Sequence, residues 1–283
     1  MKILAIGDFH GKFPKKYENL IKKEKIDLVV SNGDYPPFSL EKYFLKYIYS
    51  SIFLINLWEI IGKKKYKEIV TRDHKQGEEV LKKLNKLHVP VFTVFGNHDY
   101  PSSDVMDLGK PKDAWEWEWR SWNFFPRVLK KYKNIKRIDY KYAKFGGYVF
   151  IGARGSSFPG RVKSQAFKRH GKKLDDLFRK FVKENKRGKV IFLSHNVPYK
   201  TKLDKITAKD ADVLARGEHY GSELVRRVIE KFHPILHLGG HISEGMGKQK
   251  LGSTLMVNVG AVHNGKGAII DMDKGKVKVK FIN

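Results

Sequence analysis

The sequence predicts an α/β fold with a large core, and two observations support this prediction. Short runs rich in Val, Ile, Leu and Phe alternate with segments whose apolar residues recur at helical spacing, such as 14–25 and 77–88. Helical segments of this length can cross from one parallel strand to the next. Apolar residues make up 41% of the 283 residues and are spread along the chain. We therefore expect a soluble, globular domain over residues 1–283 with a large core.

Five of the predicted strands end at polar residues of the same chemical kind. They are KILAIGD ending at Asp8, DLVVSNGD at Asp34, VPVFTVFGNHD at Asn97, His98 and Asp99, KVIFLSH at His195, and PILHLGGH at His241. Any one of these residues alone is typical of a turn or a helix cap. In a sheet built from strand-helix-strand units, however, residues past the carboxyl ends of neighbouring strands converge on one crevice. The pattern predicts a site at that crevice, and four later runs, YVFIGARG, STLMVNVGA, GAIIDMD and KVKVKFI, predict further strands.

Two stretches, near 36–72 and 100–144, are predicted to be helical insertions. The first contains apolar residues at helical spacing, but Lys46 and Glu59 interrupt it. It therefore falls short of the roughly 20 clean apolar residues of a transmembrane span. The second contains four of the five tryptophans. A satellite hydrophobic cluster is the favoured interpretation of this segment, and a lid or a platform for stacking bases is the alternative.

Composition limits the classes of partner and of metal site. Lys and Arg number 57 against 30 Asp and Glu, so the formal net charge is +27. The positive electrostatic field of such a chain attracts phosphorylated ligands, nucleic acid or acidic membranes. An equally good explanation of the charge is a lysine-rich surface that keeps the protein soluble. The chain has no cysteine, which excludes disulfides and thiolate ligands. The amino terminus lacks the apolar run of a signal sequence, so we expect a cytoplasmic protein.

The ordered motifs GDFHG, NGDYPP, FGNHDY, LSHNVP and GGHISEG resemble those of the calcineurin-like metallophosphoesterase superfamily. The resemblance extends from Asp8 to about Asn258. It implies a two-sheet α/β sandwich with flanking helices and a site for two divalent metal ions. Imidazole, carboxylate and amide ligands suit Mn, Fe, Zn, Co or Ni better than Ca. The resemblance therefore implies two transition-metal ions as cofactors.

The resemblance also implies roles for individual residues. The implied metal ligands are Asp8 and His10 for the first ion, Asn97, His195 and His241 for the second ion, and Asp34 for both. His98 would contact the substrate and act as general acid toward the leaving oxygen, with Asp99 orienting it. The nucleophile would be a water activated by the metal ions.

The sequence departs from the family pattern at Ser243, where the last motif has a second histidine that ligates the first ion. A serine hydroxyl is a poor substitute for imidazole, so we expect the first ion to be held less tightly than the second. Ser243 and His263 are candidates for a metal or substrate contact, and His219 is a further candidate by residue type alone. Arg154 and Arg161 are candidates for bidentate contacts with a substrate phosphate.

These features predict a metal-dependent phosphoesterase that hydrolyses phosphate mono- or diesters of small molecules or nucleotides. Phosphatase and phosphodiesterase or nuclease activities both stay open. Tyr35, Pro36 and Pro37 follow the second motif, where the protein phosphatases of the superfamily carry Asp and Arg, and this argues against a Ser/Thr protein phosphatase. The alternative is a noncatalytic protein that binds phosphate or nucleic acid and retains the fold with a degraded metal site.

Overall fold

The computed structural model of the chain describes residues 1–49, 56–99, 115–155, 165–208, 211, 213, 215–273 and 275–283. The strands in these ranges are β1 (Lys2–Ile6), β2 (Leu28–Ser31), β3 (Val91–Thr93), β4 (Ile135–Arg137), β5 (Tyr142–Phe145), β6 (Tyr148–Ala153), β7 (Val190–Asn196), β8 (Leu236–Gly240), β9 (Gly247–Leu251), β10 (Thr254–Asn258), β11 (Gly267–Asp273) and β12 (Lys276–Ile282). The α-helices are α1 (Lys16–Lys23), α2 (Glu41–Phe44), α3 (Leu57–Ile61), α4 (Lys63–Asn85), α5 (Glu116–Ser121), α6 (Phe124–Leu129), α7 (Gln165–Lys180), α8 (Val182–Lys186) and α9 (Glu223–Phe232). A π-helical turn, Leu45–Tyr49, follows α2.

The described strands form two six-stranded sheets. The first sheet has the order β12-β11-β1-β2-β3-β4, and the second has the order β5-β6-β7-β8-β10-β9. The pairs β1–β2, β2–β3 and β3–β4 are parallel in the first sheet, as are β6–β7, β7–β8 and β8–β10 in the second. Antiparallel pairs form one edge of the first sheet and both edges of the second. The carboxyl ends of the parallel strands therefore meet at one edge of each sheet.

Alternation along the strands divides the core into layers. Ile3 and Ala5 of β1 pack between the two sheets, whereas Leu4 and Ile6 pack on the outer face of the first sheet. Successive side chains of a strand point to opposite faces, which is why one apolar run can supply both layers. Helices α1, α4 and α6 cover the outer face of the first sheet, and α7 and α9 cover that of the second. The fold is a two-sheet α/β sandwich with flanking helices, as predicted.

The two stretches predicted as insertions have a mixed structure in the described ranges. The first contains α2, the π-helical turn, α3 and the start of α4. The second contains α5 and α6, and also strand β4 and the first residues of β5. Residues 50–55 and 100–114 of these stretches lie outside the described residues. Within the described ranges, every helix lacks either the length or the hydropathy needed to cross a membrane.

The tryptophan-rich segment packs on α3 and α4. The rings of Trp115 and Trp58 are 5.9 Å apart, and Trp119 lies 5.2 Å from Trp122. Glu118 accepts hydrogen bonds of 2.9 Å from both Trp58 Nε1 and Tyr66 Oη. The tryptophans thus contact one another and the neighbouring helices, as expected of a satellite aromatic cluster.

His74 of α4 provides a pH test of the packing on the first sheet. Its ring lies parallel to that of Phe124, 4.5 Å away, and burial lowers its pKa from 6.5 to about 4. The unfolded chain therefore binds a proton at a higher pH than the folded chain, and stability falls as the pH drops from 6.5 toward 4. We expect His74→Phe to reduce this fall by about 3 kcal/mol. Urea unfolding near pH 7.5 and pH 4 measures the difference, and an equal fall in both proteins would contradict it.

Candidate functional site

Four residues at the strand ends have left-handed backbone conformations. The φ angles are 51° for Asp8, 44° for His10, 58° for Asp34 and 73° for His241. Such angles are uncommon for residues other than glycine and persist where the surrounding structure imposes them. Two backbone hydrogen bonds hold the first loop against the second, since the N–H groups of Phe9 and His10 donate to the Asp34 carbonyl at 2.9 and 3.0 Å.

The structure brings five of the six predicted metal ligands into two groups of donor atoms. Asp8, His10 and Asp34 form the first donor group, and Asp34, His195 and His241 form the second. Within each group the donor atoms lie within 4.8 Å of one another. Asp34 belongs to both groups, so one buried carboxylate stands between two clusters that could each hold a metal ion.

The hydrogen bonds of His195 show that the second donor group fits a cation. Its Nδ1 is 2.9 Å from the carbonyl oxygen of Asn32 and must carry the hydrogen, because a carbonyl only accepts. Nε2 then presents a lone pair in the neutral ring. It faces Asn97 Oδ1 at 2.7 Å, His241 Nδ1 at 3.2 Å and Asp34 Oδ2 at 3.5 Å. Buried lone pairs that face one another need a proton or a metal ion between them.

Burial and mutual charge set the protonation of these groups. Burial lowers the pKa of His10 to about 4 and that of His241 to about 3, so both rings are neutral at pH 7 and can donate lone pairs. Burial raises the pKa of Asp8 to about 7. Burial would also raise the pKa of Asp34, but the imidazoles of His195, His98 and His10 outweigh it and hold the pKa well below its usual range. The ionised carboxylate of Asp34 beside the neutral imidazoles of His10 and His241 is a suitable donor set for a divalent transition metal.

Gly240 at the end of β8 allows the close approach that the first donor group needs. A Cβ atom there would lie 2.5 Å from Asp8 Oδ2 and 3.1 Å from Asn32 Nδ2. Gly240→Ala should therefore displace the Asp8 carboxylate and weaken the binding of one metal ion about 10- to 100-fold. Calorimetric titration with Mn²⁺ measures the change. Gly247→Ala is the matched control, because its Cβ would meet Leu203 at an ordinary 3.5 Å, and an equal effect in the control would contradict the prediction.

Asp99 positions the loop that carries Asp34. Its carboxylate accepts backbone hydrogen bonds from Asp34 at 2.9 Å, Tyr35 at 2.9 Å and Gly96 at 2.7 Å. Among the described hydrogen bonds, none joins it to His98, the residue it was predicted to orient. The physical reason is that three N–H groups from two loops occupy this buried carboxylate. We therefore regard Asp99 as a positioning residue.

His98 lies between an aromatic ring and the donor groups. The backbone N–H of His98 donates to Asp34 Oδ1 at 2.9 Å, and its side-chain Nε2 is 3.9 Å from Asp34 Oδ2. The ring of Phe38 is 4.6 Å away and that of His10 is 5.4 Å away. The side chain of His98 is 22% exposed, so a bound substrate can reach it. Burial lowers its pKa.

The candidates for the neighbouring contacts are placed as follows. Ser243 begins a short 3₁₀ helix, Ser243–Gly245, directly after the His241 loop. His263 lies beside the first donor group, with its ring centroid 4.7 Å from that of His10. His219 Nδ1 pairs instead with Asp204 at 2.8 Å.

Of the two arginines predicted to contact a substrate phosphate, the structure describes Arg154 but not Arg161. Arg154 follows β6, and its guanidinium carbon is 5.8 Å from the centre of the Tyr140 ring. The adjacent Gly155 approaches the ring of His195, so Arg154 borders the site through its backbone. Arg161 lies outside the described residues. Their predicted phosphate contacts stay predictions.

Two residues of the site were missed by the reasoning from sequence. Asn32 is buried beside Asp8, and within the described structure its side-chain amide has no hydrogen-bond partner. It is the first residue of the NGDYPP motif, so its position was the available signal. Phe38 packs on His98, but an aromatic residue in a loop gives no such signal.

Comparison with models of protein families matches residues 1–244 to the calcineurin-like phosphoesterase family. The chain belongs to this family. The match covers four of the five motifs in full and the fifth, GGHISEG, as far as Glu244. No curated protein sequence matches the chain.

Solved structures support the fold of this calcineurin-like phosphoesterase. One crystal structure shares 18% identity and a TM-score of 0.63, with 100% of this chain and 99% of the other covered. The crystal structure of TT1561 from Thermus thermophilus also shares 18% identity, with a TM-score of 0.56 and coverage of 99% and 97%. A structure described as a novel archaeal phosphodiesterase aligns at 10% identity and a TM-score of 0.41, with 99% of each chain covered. That last likeness is too weak to support an argument.

Proposed function

We propose that the protein hydrolyses phosphate mono- or diesters with two divalent metal ions. The observation that carries this proposal is Asp34, a buried carboxylate shared by both donor groups. Asp8 and His10 would hold one ion with Asp34, and Asn97, His195 and His241 would hold the other. When bound, two such ions neutralise phosphate oxygens and lower the pKa of a bound water, which supplies the nucleophile.

The protein's own residues fix this arrangement before any substrate binds. The backbone N–H of His98 donates to one oxygen of Asp34. The carboxylate of Asp99 accepts hydrogen bonds from the backbone N–H groups of Asp34 and Tyr35 and so holds the loop that carries Asp34. The Asn32 carbonyl selects the tautomer of His195 that leaves Nε2 free to bind a metal ion. The donors therefore need little reorganisation during the reaction, which is the basis of electrostatic preorganisation.

His98 would donate the proton to the leaving oxygen. It is accessible, it neighbours Asp34, and Phe38 restricts its ring. Burial lowers the pKa of His98, but an anionic phosphate beside the ring acts in the opposite direction, because a neighbouring negative charge favours the imidazolium. Substrate binding would therefore favour the protonated form of His98 that a general acid needs.

Ser243 distinguishes the two proposed metal positions. The second donor group has Asn97 as a further neighbour, 2.7 Å from His195. At the first donor group, the family's second histidine is replaced by a residue without an imidazole. We therefore propose that the first position, with Asp8, His10 and Asp34 as its protein ligands, binds its ion more weakly than the second.

The test is hydrolysis of p-nitrophenyl phosphate and of its bis ester by metal-stripped protein with added Mn²⁺, Zn²⁺, Co²⁺, Ni²⁺ or Fe²⁺. We expect metal-dependent turnover of at least one ester and none without metal. The ratio of the two rates assigns monoester or diester preference. The absence of turnover with every metal, in protein that unfolds cooperatively, would overturn the proposal.

The replacement at Ser243 also favours a second candidate, a noncatalytic protein that binds phosphate or nucleic acid. The net charge of +27 agrees with such a role. In that case binding of single-stranded nucleic acid should occur without hydrolysis, and log affinity should fall with log salt at roughly 0.7 per phosphate contacted. Affinity that does not respond to salt would exclude electrostatic binding of nucleic acid.

A further inference from the structure

His263 lies directly beside the first donor group. It belongs to a 3₁₀ helix, Val262–Asn264, that follows β10. Its ring meets that of His10 edge-on, with centroids 4.7 Å apart and planes at 83°. Its Nδ1 is 2.9 Å from the carbonyl oxygen of Asp8. The imidazole thus contacts the loop that carries two of the three donors.

The hydrogen bond to Asp8 fixes which nitrogen of His263 can bind a metal ion. A carbonyl oxygen only accepts, so Nδ1 carries the hydrogen and Nε2 has the lone pair. Histidines that ligate metal ions usually donate their other N–H to a carbonyl or carboxylate in this way. His195 has the same arrangement, because its Nδ1 lies 2.9 Å from the Asn32 carbonyl.

The spacing of the rings is also that of two imidazoles on one ion. His195 and His241, which share the second donor group, have centroids 4.9 Å apart, close to the 4.7 Å between His10 and His263. With metal–nitrogen bonds of about 2.0–2.1 Å, two rings on one ion have centroids roughly 4.5–5.2 Å apart. His263 is not among the donors that lie within 4.8 Å of one another. Ligation therefore requires the half-buried ring of His263 to move closer to these donors.

We propose that Nε2 of His263 is a protein ligand of the ion held by Asp8, His10 and Asp34. The proposal rests on the two-metal site of the proposed function. It gives the first position a second imidazole, from the loop after β10, where Ser243 supplies none. The first ion would then have four protein ligands, namely Asp8, His10, Asp34 and His263.

The test uses the full chain, stripped of metal by a chelator and titrated with Mn²⁺ in a calorimeter without substrate. In His263→Asn, the amide can still donate to the Asp8 carbonyl, but Nε2 is lost. We expect this variant to bind one of two Mn²⁺ equivalents about 10- to 100-fold more weakly. His88→Gln, which removes an exposed histidine, should bind both as the unaltered protein does. Thermal unfolding in EDTA should be the same for all three, which separates metal binding from folding.

Two further backgrounds assign the affected ion. His10→Ala is expected to lose Mn²⁺ binding at the first position, so adding His263→Asn to it should not lower the Mn²⁺ affinity further. Adding His263→Asn to Asn97→Ala should weaken Mn²⁺ binding as much as it does in the unaltered protein. Ser243→His should restore the affinity lost in His263→Asn. If His263→Asn leaves both affinities within twofold, or acts fully in His10→Ala, the proposal is overturned.

The titrations also keep this proposal separate from the proposed function, because no substrate is present. If Mn²⁺ binding depends on His263 but the protein hydrolyses no ester, the proposed function is wrong and His263 is still a ligand. If the protein hydrolyses esters with metal but His263→Asn has unchanged Mn²⁺ affinity, the proposed function stands and His263 is not a ligand.

Discussion

Replacing Asp34 with asparagine is expected to lower kcat/KM for phosphate ester hydrolysis by about 10³-fold or more and to weaken the binding of both metal ions. The variant preserves the shape of the side chain and the oxygen that accepts the 2.9 Å hydrogen bond from the His98 N–H. It removes the negative charge that both donor groups share. Steady-state kinetics and metal analysis by mass spectrometry measure the two effects together.

The matched control for Asp34→Asn is Asp175→Asn. Asp175 pairs with Arg227 at 3.0 Å and Lys231 at 2.8 Å, outside both donor groups. We expect this control to retain activity and both metal ions. If Asp34→Asn lost only one ion, Asp34 would be a ligand of a single metal and the shared carboxylate would not be the centre of the site.

Replacing His98 with asparagine is expected to lower kcat about 10²- to 10⁴-fold for substrates with poor leaving groups, because these depend on a general acid. The loss should be much smaller for p-nitrophenyl esters, whose leaving group needs little protonation. Metal binding should be unchanged, since His98 belongs to neither donor group. Rates for a series of aryl and alkyl esters, with metal content measured in parallel, check both statements.

Phe38→Leu is the matched control for His98→Asn. It keeps the imidazole and removes only the aromatic ring that packs on it at 4.6 Å. We expect a small loss of kcat with the leaving-group dependence retained. An equal loss for all leaving groups in His98→Asn would show that this residue binds the phosphate instead of protonating the leaving oxygen.

The sequence alone predicts the parts of the site that depend on strand ends. Asp8, Asp34, Asn97, His195 and His241 each follow or finish a short apolar run, and the parallel order of the strands gathers them at the carboxyl ends of the strands of each sheet. The strand period and the direction of the chain suffice for that step, but they do not place the two sheets against each other. The two-sheet architecture itself came from the resemblance of the motifs, and the structure confirms it.

Contacts between distant parts of the chain could not be predicted in the same way. His263 forms a hydrogen bond with Asp8, which is 255 positions away in the sequence, and no local sequence pattern predicts this contact. Asp99 was expected to orient its neighbour His98, but its carboxylate accepts hydrogen bonds from backbone N–H groups of two loops. Phe38 packs on His98 because of the path of the loop that carries it. A loop has no hydrophobic periodicity from which such a contact could be predicted.

The site lies across the junction between the two sheets. Asp8 and Asp34 follow strands of the first sheet, whereas His195 and His241 belong to or follow strands of the second. Their contacts, such as the 3.5 Å approach of His195 Nε2 to Asp34 Oδ2, depend on how far apart the sheets are held. That separation is set by inter-sheet side chains such as Phe92 and Phe150, whose rings are 5.4 Å apart. Buried apolar residues between the sheets therefore help to set the distances between donor atoms that come from different sheets.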